Sequence, residues 1–136
     1  MLDLKGRDVR LARLVLQALR THRVAAPLAV CARSPALLEP FRGLVGVHAV
    51  LSIGSRRQLH ALERRFDGRR LDGISIHERL LDHVTVQRLA RYADVVMTWP
   101  VRTVEQANRL LGWGVQGLIS DAPEELAQVV LVGTAG

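Results

Sequence analysis

The sequence predicts an α/β fold of parallel βα repeats, on three observations. Short β-rich runs alternate with amphipathic helical patterns from end to end, the runs begin about every 23 residues, and the junctions carry the residues that start helices. Leu2–Lys5 is the first run, followed by apolar residues at helical spacing: Val9, Leu11, Ala12, Val15, Leu16 and Leu19. Pro27–Ala32 comes next, and Ser34 before Pro35 marks a helix start. Val47–Ile53 leads to Ser55, a second N-cap, and Gly73–His77 to a further helical pattern. After Asp94–Trp99, Thr103 and Gln106 form a capping-box pattern ahead of Val104, Ala107, Leu110 and Leu111. Gly117–Ser120 is the last run, and Asp121 with Pro123 and Glu124 reads as the cap of a final helix.

Runs as short and apolar as Leu28-Ala29-Val30-Cys31 and Val95-Val96-Met97 belong to strands buried on both faces, and βα repetition makes their crossovers right-handed. The sheet is therefore parallel. It is either an open doubly wound sheet or most of a (β/α)₈ barrel, which normally takes about 250 residues. No Gly-x-Gly-x-x-Gly and no P-loop occur, and the near-constant repeat favours a barrel wall, although six strands fall two short of closure. Residues 1–136 read as a single domain without a linker or low-complexity tract.

Composition narrows the function classes. Nineteen Lys+Arg against 13 Asp+Glu give a net charge of +6, and 49% of residues are apolar, which excludes disorder and collagen. The single cysteine, Cys31, forms no internal disulfide, and no Cys/His group has zinc spacing, so a reducing cytoplasm is expected. No apolar run approaches the roughly 20 residues of a membrane helix. No signal peptide is expected either. All but one of the 19 basic residues are Arg, scattered in pairs such as Arg56-Arg57, Arg64-Arg65 and Arg69-Arg70 with few aromatics between them. That distribution suits solvated helix faces better than nucleic acid. The exception is Lys5, a compact ammonium in a chain that otherwise uses the planar fork.

In either parallel architecture the chemistry sits at the carboxyl ends of the strands. The residues there are Asp3, Lys5, Arg33, Ser34, Ser52, Ser55, Ser75, His77, Glu78, Trp99, Ser120 and Asp121. His22, His48, His60 and His83 have no mutual spacing that suggests a site, and no local Ser-His-Asp or Cys-His arrangement occurs.

At these positions the chain resembles the glycerophosphodiester phosphodiesterase family. Val95-Val96-Met97-Thr98-Trp99-Pro100-Val101, and then Asn108 to Pro123 through Gly114-Val115-Gln116-Gly117-Leu118-Ile119-Ser120-Asp121, are similar to that family's tryptophan-bearing penultimate strand, helix and closing strand. Gly73–Leu81 resembles the strand and loop before them, and Leu2-Asp3-Leu4-Lys5 the family's third strand. The resemblance implies an incomplete TIM barrel of the phospholipase C-like phosphodiesterase type, strands three to eight, lacking the first two βα units. It implies a hydrolase of lipid metabolism that splits glycerophosphodiesters into glycerol 3-phosphate and an alcohol, using Ca²⁺ or Mg²⁺ held by carboxylates. Hard oxygens suit such a cation, which clamps the phosphate. Asp3 then takes the metal-ligand position, Lys5 is the catalytic contact to phosphate, and Trp99 lines the glycerol pocket. By the same resemblance His77 is a loop residue supporting the site and not one of the family's two histidines.

The departures set a second expectation. The His-Arg-Gly motif, the carboxylate pair of strand two and the second histidine have no counterpart here, Asp3 replaces a longer Glu, and Pro100 interrupts the tryptophan turn. Gln116 and Ser120 stand where Asp and Thr are common. General acid-base catalysis is worth about 10²- to 10⁴-fold, so the chain alone is expected to be inactive, with a catalytically dead phosphate-ester- or protein-binding member as the alternative. The terminal strands are expected to leave unpaired edges through which the chain self-associates.

Overall fold

A computed structural model describes residues 1–22, 27–124 and 126–127. Six strands alternate with helices: β1 Leu2–Leu4, α1 Val9–His22, β2 Leu28–Ala32, α2 Pro35–Leu38, β3 Val47–Ile53, α3 Arg56–Arg65, β4 Leu71–His77, α4 His83–Leu89, β5 Ala93–Trp99, α5 Val104–Gly112 and β6 Gly117–Leu118. Short 3₁₀ turns at Glu39–Phe41 and Glu78–Leu80 complete the order.

All five strand pairs are parallel, and the sheet runs β1-β2-β3-β4-β5-β6 in chain order. A doubly wound sheet reverses direction at a switch point. This sheet never does, so the barrel wall is the architecture. Among the described residues the helices lie on one face only. There Val30, Ala32, Ala49, Leu51, Ile53, Ile74, Ile76 and Val96 pack with Ala12, Leu37, Leu38, Phe41, Leu59 and Leu89 in one core, while Val86, Val101, Ala107, Leu110 and Val115 form a second core at α4 and α5.

Side chains alternate across a strand, so the register places Asp3, Cys31, Val50, Gly73 and Val95 in one row on the opposite, helix-free face. Ser52, Ser75, Met97 and Gly117 form the next row. Val50 and Ser75 are each only 2% exposed although no helix covers them. A flat sheet would leave that face in water, so the wall curls over its own inner side chains.

Capping fixes where the helices begin. Ser55 accepts from Gln58 N–H at 3.3 Å, Asp82 from Thr85 N–H at 2.7 Å and Thr103 from Gln106 N–H at 3.1 Å. At Ser34 the backbone is extended but the side chain caps nothing; Pro35 starts that helix and Pro40 stands in the 3₁₀ turn that ends it. Helix α5 ends in a Schellman motif: Gly114, at φ +97°, donates to Leu111 O at 2.9 Å and Val115 to Leu110 O at 3.2 Å. In the turn after β6, Ala122 N–H donates to Ser120 Oγ at 2.9 Å, and the helix expected behind Asp121 begins at Pro123 and lies partly outside the described residues.

Candidate functional site

The carboxyl ends of the strands hold two groups of side chains on the inner face. The first is built on β1 and β2, where Asp3 stands opposite Cys31 and the Lys5 ammonium pairs with the Asp3 carboxylate. Both members of that pair reach solvent, with 45% of the Asp3 side chain and 76% of the Lys5 side chain exposed. Burial pushes the Cys31 thiol up to about 11; the Asp3 charge adds to the shift, and a hydrogen bond from Ser52 and the Lys5 charge oppose it. Cys31 is therefore a protonated, unreactive thiol at neutral pH.

The second group is built on β4 and β5. His77 and Trp99 are register partners, and their rings meet edge to face with centroids 4.7 Å apart at 62°. His77 Nδ1 accepts from Arg79 N–H at 3.3 Å, so the neutral ring carries its proton on Nε2. Burial lowers the His77 pKa most, and the Arg79 guanidinium lowers it further. Beneath the pair, Thr98 Oγ–H donates to Ile76 O at 2.8 Å and is wholly buried, which locks β5 to β4.

Cations crown the strand ends. Arg79 Nη2 donates to Gly54 O at 3.2 Å, and the Arg33 guanidinium lies beside the same glycine, 3.7 Å from the place of a Cβ. Among the described residues Arg33, Arg79 and Arg102 form no ion pair. Three guanidiniums without an ion-pair partner at the strand ends are an arrangement that attracts an anion to the mouth of the wall.

The sequence-predicted residues are brought onto one face but not into one cluster. Asp3 and Lys5 stand four strands from Trp99, about 19 Å along the wall at the ordinary strand spacing. A groove of about 1000 Å³ starts at Lys5, Arg33 and Ser34 but runs over the helix-bearing side, past Leu38, Leu51 and Leu62 to Arg65 and Asp67, and does not reach Trp99. His77, read from the sequence as a supporting loop residue, ends β4 in direct contact with Trp99. Its position opposite Trp99 depends on a register between strands that no local pattern reports.

The donor set does not fit a divalent cation. Among the described residues no three His, Cys, Asp or Glu side chains gather, and the one carboxylate at the expected place is engaged by Lys5. Ca²⁺ takes six to eight oxygens and Mg²⁺ six, so Asp3 alone makes no such site. No helix among the described residues is long and apolar enough to cross a membrane.

No family model matches the chain, and no curated protein matches it in sequence. Solved structures do match it in fold. They include an Oleispira antarctica phosphodiesterase in complex with the product sn-glycerol-3-phosphate, at 17% identity and a TM-score of 0.73, over 94% of this chain and 53% of that one. A glycerophosphodiester phosphodiesterase of Parabacteroides distasonis matches at 18% identity and a TM-score of 0.73, over 96% of this chain and 56% of its own. The corresponding protein of Thermotoga maritima matches at 16% identity and a TM-score of 0.71, over 93% and 56%. The chain thus has the fold of about half the length of these enzymes, an incomplete TIM barrel.

Proposed function

We propose that this chain is the substrate-facing wall of a glycerophosphodiester phosphodiesterase-type barrel and binds the glycerol phosphate part of such a diester. Lys5 contacts the phosphate and Trp99 the glycerol from opposite sides of the curled wall, since four strands are half the turn of an eight-stranded barrel, with Asp3 at the metal-carboxylate position. The observation that carries the reading is the inner face itself: an aromatic platform at Trp99, edged by His77, under a rim of guanidiniums that lack acidic partners. The fold shared with phosphodiesterases, one of them holding glycerol 3-phosphate, supports the same reading.

Binding and hydrolysis separate here. Asp3 is given over to Lys5, so a Ca²⁺ or Mg²⁺ site needs carboxylates beyond those the described residues gather, and on this reading a general acid and base come from elsewhere. The chain alone is a binder of phosphate esters. Calorimetry of the purified chain with glycerol 3-phosphate tests this: millimolar binding is expected, weakened at least tenfold by Lys5→Ala or Trp99→Ala, without turnover of the diester. No heat at millimolar ligand would overturn the reading, and unaided turnover would overturn the division between binding and chemistry.

A further inference from the structure

Helix α2 is stopped early. Pro35 starts it, and Pro40 in the 3₁₀ turn that follows lacks the N–H a longer helix would use, so α2 has four residues where α3 has ten. Helix and turn together rise about 12 Å, whereas β3 beneath them runs about 23 Å. The helix layer over β3 is therefore incomplete. The groove of about 1000 Å³ follows the gap between α2 and α3, with Ala49, Leu51 and Ile53 of β3 as its floor and Leu38, Ala61 and Leu62 on its walls.

Its charge is lopsided. Lys5, Arg7, Arg33, Arg42, Arg65 and Arg69 line it against Glu39 and Asp67, and those two carboxylates are engaged by Arg42 and Arg69. Among the described residues Arg7, Arg33 and Arg65 form no ion pair. Where β2 ends, Arg33 stands next to Ser34, whose hydroxyl caps nothing. An apolar floor with an unpaired guanidinium and an uncommitted hydroxyl at one end suits an amphiphile with an anionic head.

Three kinds of occupant have that character, and geometry separates them. Drawn out over about 23 Å, the groove has a section of about 40 Å², about half that of a helix 10 Å wide, so it is too narrow for an acidic helix. An extended acidic peptide is slim enough. However, β3 is bonded to β2 and β4 on its two sides, so the floor offers no backbone partner and the peptide's own N–H and C=O groups would be buried unpaired. An alkyl chain carries no such groups.

We infer that the groove between α2 and α3 binds a long-chain carboxylate, its head on Arg33 and Ser34 and its chain along Leu51 toward Phe66. The planar fork of Arg33 matches a carboxylate bidentately. The chain lies on the helix-bearing side, apart from the inner face proposed for glycerol phosphate.

Calorimetry of the full chain with octanoate, decanoate and dodecanoate, each below its micelle concentration, tests this. One saturable site is expected, with affinity rising about threefold per added methylene. Dodecanol should bind at least tenfold more weakly than dodecanoate, and Arg33→Gln should weaken dodecanoate by a similar factor. Ala61→Phe fills the groove from α3 without emptying the core; it should abolish dodecanoate binding and leave the denaturation midpoint and the response to glycerol 3-phosphate unchanged. Trp99→Ala should do the reverse to the two ligands. Affinity independent of chain length, uptake that never saturates, or undiminished binding by the Ala61→Phe variant would overturn the inference. So would dodecyl phosphate binding at least tenfold more tightly than dodecanoate, which would make the head a phosphate. Failure of glycerol 3-phosphate alone to bind would strike the inner face and leave this site standing.

Discussion

His77 and Trp99 end adjacent parallel strands and touch ring to ring, 4.7 Å between centroids. Burial, and after it the Arg79 charge, lowers the pKa of this imidazole by disfavouring the imidazolium. The sign follows from linkage: with its folded pKa below 6.5, His77 binds fewer protons folded than unfolded, so its protonation opposes folding. The loss begins as pH falls through about 6.5, the unfolded value, and levels off below the folded one. Denaturation midpoints should fall between pH 7 and pH 5, and His77→Asn should flatten that part of the profile. A ring proton titrating in NMR at or above the free-histidine value would contradict the assignment.

Gly117 sits against Met97 at the last strand pair, where a Cβ would come within 2.7 Å of Met97 Cβ. The obstacle is at the root of the side chain, so trimming Met97 to Ala cannot relieve it. Gly117→Ala should cost about 1–3 kcal/mol, the usual range for overpacking, and Met97→Ala should give no rescue. Denaturant midpoints of the single and double variants decide this.

The strands were readable because each is a compact apolar run between turn residues. Val47–Ile53 is predicted to the residue, and the other five differ from the structure by one or two residues at one end. Ser55 and Thr103 were legible as caps because capping is local, whereas Ser34 has the same appearance but does not cap. The inner face was harder to read. Gln116 stands where an Asp is common; its Oε1 accepts from Val96 N–H at 2.8 Å and its Nε2 donates to Asp94 O at 3.3 Å, so it splices β6 to β5. Nothing near Gln116 in sequence announces that. Likewise Leu14 falls outside the helical stripe predicted for α1 and is 64% exposed, which the stripe alone does not explain.

Arg70 ties the amino ends of β4 and β5 together. Its guanidinium donates to Asp94 Oδ1 at 2.8 Å, Ala90 O at 2.9 Å, Arg91 O at 3.2 Å and Ala93 O at 2.6 Å. Half the side chain is in solvent, so the ion pair with Asp94 contributes little and the carbonyl bonds matter more. Arg70→Ala should destabilise by about 1–2 kcal/mol. Arg70→Lys should recover less than half of that, since an ammonium cannot span four acceptors with a planar fork. Asp94→Asn should be nearly neutral, and a large effect there would shift the weight back to the ion pair.

The two edges of the wall differ in kind, β1 at one margin and β6 at the other, so the pairing of copies joins unlike surfaces. Contacts between unlike surfaces either close into rings or grow without limit. An already curled six-stranded wall has no reason to close with one copy, and growth is the expected result. Sedimentation of the isolated chain should therefore show a mean mass that rises steadily with concentration. Leu2→Lys places an ammonium on the exposed margin of β1, where edge lysines suppress strand addition, and should return the chain toward monomer. The variant should leave the denaturation midpoint within about 0.5 kcal/mol of the parent, as surface substitutions do. A parent chain that sediments as a monomer at every concentration would show that the margin is shielded from strand addition without any partner.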